Sequence, residues 1–151
     1  MAMHLREQIM DAVVTAVTGL TTTGSNVHRA RVFPQEGSLL PALLIYAGDD
    51  EQVADPETDK HTLVDSVLAI IIEGWVQLSS GQPEETLNAI NAQVVVALQA
   101  DRTQGVTGVI DTFDADVDEP QLFEGSKRTA MLSMRFGVRY RRLRNQANLS
   151  A

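Results

Sequence analysis

Residues 130–142 read AMLSMRFGVRYRR, the cleanest alternation in the chain. Ala130, Leu132, Met134, Phe136, Val138 and Tyr140 fall on one side of an extended backbone, and Met131, Ser133, Arg135, Gly137, Arg139 and Arg141 on the other. A period of two sustained over that length means a strand with one packed face and one face carrying a row of arginines. So long a strand needs a partner of similar length, and residues 61–77 supply one. There Val64, Leu68, Ile70, Ile72 and Val76 make an apolar face interrupted by Ser66 and Gly74. The odd positions, Leu63, Asp65, Val67, Ala69, Ile71, Glu73 and Trp75, mix greasy and polar residues, as on a surface partly covered by a neighbour.

Two helices frame these strands. Leu5, Ile9, Ala12, Val13, Ala16, Val17 and Leu20 recur at steps of three and four, and TTTGSN at 21–26 ends that stripe. Pro83 suits the first position of a second helix, Glu84 and Glu85 complement its positive end, and Leu87, Ile90, Val94, Ala97 and Leu98 form its inward stripe. Between the first helix and the long strand, Val27–Phe33 alternates until Pro34 stops it, and Pro41 heads the apolar run ALLIYAG. GDDEQVADPETDK at 48–60 reads as a loop. Val109–Val117 alternates again, Val109, Phe113, Ala115 and Val117 opposing Thr112, Asp114 and Asp116.

The expected order is therefore helix, two strands, long strand, helix, two strands, with no internal repeat. Two helices cannot cover both faces of such a sheet. The fold class is α+β, a two-layer sandwich in which a mainly antiparallel sheet of about four to five strands carries both helices on one face. Any parallel pair should form through the helix joining the long strand to Val109, because a crossover needs about a dozen residues. Residues 1–144 read as a single domain and 145–151, NQANLSA, as a polar tail.

The chain has 151 residues, 44% of them hydrophobic, enough for one core, and its lack of cysteine excludes disulfides and thiolate zinc sites. The opening MAMHLREQIMDAVV does not read as a signal peptide, and the longest apolar run, Val67–Ile72, is too short to span a bilayer, so no membrane partner is expected. Net charge is -8, which opposes wholesale nucleic-acid binding. Its distribution says more. Asp49, Asp50, Glu51, Asp55, Glu57 and Asp59 form one acidic stretch and Asp111, Asp114, Asp116, Asp118 and Glu119 another, whereas Lys127, Arg128, Arg135, Arg139, Arg141, Arg142 and Arg144 gather near the C-terminus. Such segregation suits head-to-tail contact between copies, or solvated faces at different ends of one subunit.

Chemistry finds little footing. His4, His28 and His61 lack metal-ligand spacing. DADVDEP at 114–120 resembles the start of a calcium loop, yet Glu119 stands where that loop needs glycine and Gly125 where it needs glutamate. If Asp114, Asp116 and Asp118 share a strand face, a weak divalent site between subunits is conceivable; equally, carboxylates on an edge strand prevent stray pairing. A metal-dependent enzyme acting through Asp111, Asp114, Asp116 and Glu119 is the reading from another class, weakened because no histidine or lysine stands beside them to move a proton. The arginine stripe lacks interleaved aromatics on its own face, so a protein interface fits it better than a nucleic-acid platform.

Five stretches together resemble the tail terminator proteins of long-tailed bacteriophages, the minor tail protein U-like family. They are the short first helix, RARVFP at 29–34, LPALLIYAGDDE at 40–51, PEETLNAINAQVVVALQAD at 83–101 and the closing strand. The resemblance runs over nearly the whole chain, and families of neck and head-tail completion proteins share the same order of elements. It implies a non-enzymatic structural virion protein with no cofactor and no catalytic or metal residues. Such a protein forms a ring, a homohexamer, that caps the tail tube, ends its polymerisation and offers the docking surface for the head connector, with DNA only as cargo passing through the channel. It implies the head-proximal end of the virion tail, and the host cytoplasm during assembly. Charge segregation then assigns Arg29, Arg31, Asp49, Asp50 and Glu51 to subunit or tube contacts, and Arg135, Arg139 and Arg141 to a neighbour or the channel.

Overall fold

Two fifteen-residue strands organise the computed structural model, which describes residues 3–29, 40–53, 63–77, 83–123 and 129–145. The elements in chain order are α1 (Leu5–Val17), β1 (Val27–His28), β2 (Ala42–Val53), β3 (Leu63–Gln77), α2 (Pro83–Gln99), β4 (Val109–Val117), β5 (Gln121–Phe123) and β6 (Thr129–Leu143). β3 and β6 pair antiparallel over their full length, from Leu63 opposite Leu143 to Gln77 opposite Thr129. The order across the sheet is β1-β2-β3-β6-β4, with β5 continuing along β6 beyond β4. This is the α+β sandwich expected, with a third short strand after α2.

The even face of β3 and the even face of β6 meet both helices. Leu5, Ile9, Val13 and Val17 of α1 and Leu87, Ile90, Val94 and Leu98 of α2 join Leu43, Ile45, Leu68, Ile70, Ile72, Met134, Phe136 and Val138 in one buried cluster. Gly74 sets how closely α2 approaches: a Cβ there would come within 3.0 Å of Ile90 Cγ2. Truncating a side chain so enclosed as Ile90 costs about 2–5 kcal/mol. The turn after α1 is tied to α2 as well, since Gln93 Oε1 accepts from Thr22 N at 3.0 Å and Gln93 Nε2 donates to Thr22 Oγ1 at 2.8 Å.

Several expectations need correction. β4 does not pair with β3: both are antiparallel to β6, which lies between them, so the helical crossover joins strands one place apart. The parallel pair is instead β1 with β2, Val27 opposite Leu43. Of the first expected strand, Val27 and His28 form β1 among the described residues, and residues 30–33 lie outside them. The acidic stretch is not loop from Gly48; β2 continues to Val53 because β3 offers partners down to Asp65.

Bulges account for the misread faces. In β2, Ala47 faces Ile70 and Asp50 faces Leu68, three residues against two, so one extra residue reverses the alternation. In β4 the same happens twice, between Val109 and Asp111 and between Asp114 and Asp116. Thr112 consequently shares the inner side with Val109 and is fully buried, while Phe113 turns to the outer side.

Candidate functional site

The open face of the sheet is where the arginines of β6 project, and the register decides what they meet. Asp65 of β3 stands opposite Arg141 and beside Arg139. Its side chain is fully buried and holds both guanidinium groups: Arg139 donates through Nε at 3.2 Å and Nη2 at 2.8 Å, Arg141 through Nε at 2.6 Å and Nη2 at 3.1 Å. Burial alone pushes the Asp65 carboxyl up, but the hydrogen bonds and charges of Arg141 and Arg139 together outweigh it and hold the group below its ordinary range. The two arginine side chains are each one-third exposed. The row of cations is thus anchored from within.

Further along the open face, Arg135, whose side chain is partly exposed, lies 3.8 Å from the largely exposed Asp49. Ile71, Asp116, Asp118, Ser133 and Arg135 line a shallow hollow of about 230 Å³ here. At the end of the face that begins β2, Glu73 accepts from Tyr46 Oη at 2.8 Å and from Trp75 Nε1 at 3.1 Å, and Trp75 stacks on Phe123 of β5 at 5.2 Å between centroids.

The β2 bulge sends neighbouring aspartates to opposite sides. Asp49 faces outward near Arg135, whereas Asp50 turns to the helix side, where it accepts from the buried Tyr140 Oη at 2.6 Å and lies 3.6 Å from Arg6 Nε. Burial, then the hydrogen bond to Asp50, pushes the Tyr140 phenol up to about 12. Around Asp50, His4, Arg6, Gln52, Ser66, Tyr140 and Arg142 line a second hollow of about 250 Å³. His4 caps α1 by accepting from Arg6 N at 3.0 Å, and burial, with Arg6 and Arg142 nearby, lowers its pKa. Glu51 is exposed.

Arg29 leaves β1 to lie over α1, where Glu7 accepts from Nη1 at 2.9 Å and from Nη2 at 3.0 Å, and Asp11 lies 3.4 Å away. The hydrogen bond to Glu7 raises the guanidinium pKa and lowers that of Glu7. Arg31 lies outside the described residues. The seven described residues among the eight assigned to interfaces lie on both sides of the sheet.

The β4 bulges also undo the aspartate face. Asp114 stands opposite Phe136 and Asp116 opposite Arg135, on alternate sides of the strand, and Asp111 is held by Arg102 through two contacts of 2.6 Å. Among the described residues no group of three or more carboxylates and histidines is placed to hold a metal ion. From Phe113 to Phe123 every residue but Pro120 is exposed, including Val117 at 52% and Leu122 at 63%. Among the described residues, no helix is long and apolar enough to cross a membrane.

Sequence reasoning missed Asp65, the role of Asp50 and the exposed β4–β5 edge. A lone acid inside the apolar run 63–72 was the available signal for the first, but its meaning depends on which residues lie opposite.

The fold defines a two-layer α+β protein whose polar features are ion pairs and an open sheet edge. No protein-family model matches the chain, and no curated protein matches it by sequence. Among solved structures it is similar to a chain from the virion of a native gene transfer agent particle, with a TM-score of 0.46 and 16% identity over 91% of this chain and 92% of that one.

Proposed function

We propose that this chain is a structural virion protein that closes into a ring on the end of a phage tail tube, ending tube polymerisation and presenting the docking surface for the head connector. The observation that carries the reading is the separation of unlike charge on a molecule with an open sheet edge. Asp114, Asp116, Asp118 and Glu119, on β4 and just after it, stand exposed without an ion-pair partner among the described residues, while Arg6, Arg142 and Arg144 lie at the other end of β6. A ring of identical copies requires unlike faces to meet, and unlike charges give that contact its direction. The sequence resemblance to tail terminators supplies the particle, the hexameric count and the partners: tube protein on one side, connector on the other, DNA through the hole.

In this reading the outward-facing Asp49, Glu51 and Arg135 offer surface to a neighbour or the tube. Arg29, Arg139 and Arg141 contribute the part of their side chains left exposed by Glu7 and Asp65, with Arg31 two residues after Arg29 in sequence. Asp50 supports the end of α1 from inside. Imaging of particles assembled with and without the chain tests the proposal. Tubes of uncontrolled length in its absence are expected; tubes of normal length that fail to join heads would move the role to the neck, and normal particles would end the reading.

A further inference from the structure

The edge formed by β4 and β5 combines features that rarely coexist on a finished surface. Its inner side pairs with β6, and no other described strand pairs with its outer side. Five of the seven large apolar residues exposed among the described ones lie on it: Ile110, Phe113, Val117, Leu122 and Phe123. Asp114, Asp116, Asp118 and Glu119 are interspersed, each exposed. Like charges on an edge repel the same edge of a second copy, so a symmetric edge-to-edge dimer is disfavoured. A partner that is cationic, with an apolar component, is not.

This chain carries such a surface. Arg6, with a side chain 52% exposed, and Arg142 line one hollow, the exposed Arg144 accepts from Arg142 through its carbonyl, and the exposed Met3 precedes Arg6 by three residues, just before α1. Asp114 pairs across from Phe136 and Gln121 from Met131, so Arg142 lies six to eleven residues further along β6. At about 3.3 Å per residue the separation is about 20 to 36 Å. That exceeds a Debye length of about 8 Å, so the two patches barely neutralise one another within a single copy.

We propose that the acidic, apolar edge of β4–β5 docks on the Met3–Arg6–Arg142–Arg144 end of the next copy. This deepens the ring reading and rests on it. The contact is heterologous, each copy giving its edge and receiving another, and the repulsion between like edges disfavours the edge-to-edge dimer that would stop growth at two.

The test uses the full chain and sedimentation over a range of concentrations at low and high salt. One variant reverses the edge, Asp114→Lys with Asp118→Lys; the other reverses the basic end, Arg6→Glu with Arg144→Glu. Wild type is expected to self-associate, less so as salt rises. Each variant alone is expected to associate at least tenfold more weakly, and an equimolar mixture to recover, because either reversed surface still finds its complement. Neutral versions, Asp114→Asn with Asp118→Asn and Arg144→Gln, should give intermediate weakening, and unchanged thermal melts show that folding is intact. Wild-type strength in both reversed variants overturns the inference while leaving the ring reading standing. So does a wild-type dimer insensitive to the Arg6 and Arg144 changes. A wild-type chain that stays monomeric at high concentration and low salt also overturns it, and the particle imaging above then decides the ring reading separately.

Discussion

Replacing Asp65 by asparagine removes one charge from the middle of a packed sheet and leaves the shape nearly unchanged. In the native protein that fully buried carboxylate receives four hydrogen bonds from Arg139 and Arg141. Bonds to charged groups are worth about 1.5–3 kcal/mol each, but they do not add. Both guanidinium groups are one-third exposed and regain water once released, and the asparagine carbonyl still accepts from one of them. The net loss should be about 2–3 kcal/mol, below the full cost of stranding a wholly buried charge. For a chain of this size that lowers Tm by about 4–12 °C. Urea unfolding followed by circular dichroism measures it. The pH dependence is a second check: the carboxyl is held below its ordinary value in the folded state, so its contribution is complete above the unfolded pKa of about 3.9 and fades as pH falls through the lower folded value. The gap between wild type and Asp65→Asn should narrow toward about pH 2. A loss under about 0.5 kcal/mol, the ordinary range of a surface change, or a gap undiminished by acid, would refute the reasoning.

Three further outcomes are expected. In a Tyr46→Phe background, where Tyr140 is the one tyrosine left, its ionisation should have a midpoint near the value of about 12 given above, and stability should fall as pH rises from about 10 toward 12, because the unfolded chain releases that proton first; an ordinary midpoint removes the Asp50 bond from the account. Gly137→Ala should cost about 1–3 kcal/mol, since a Cβ there would run into the Phe113 ring, and markedly less in a Phe113→Ala background; equal costs in denaturant melts would show that the ring is not what resists. Thr112→Val should lose about 1–3 kcal/mol, because the buried hydroxyl donates to the Arg102 carbonyl at 2.8 Å and accepts from Gln104 Nε2 at 3.2 Å, and a neutral result would place Thr112 outside that network.

What could be read in advance was whatever repeats. The stripes of α1 and α2, the full alternation of β6 and the apolar even face of β3 are periodic, and each packs as its period requires. Local exceptions were not legible. A bulge needs no special residue, so nothing in DTFDADV announces that Thr112 turns inward and Phe113 outward; the partner strand imposes it. The pairing of Asp65 with two arginines is likewise a matter of register between segments more than seventy residues apart. Charge composition marked Asp49 and Asp50 as alike, and one extra residue in β2 gives them opposite surroundings.

The place of β6 between β3 and β4 also governs the order in which the molecule can be finished during synthesis. β4 and β5 emerge from the ribosome before residues 129–143, and among the described strands β6 alone pairs with them. Until residues 129–143 arrive, one edge of β3 lacks the strand that pairs with it, and β4 and β5 lack theirs. Completion waits on translation of the final strand, so chains stalled before it should be the ones that chaperones retain and proteases remove.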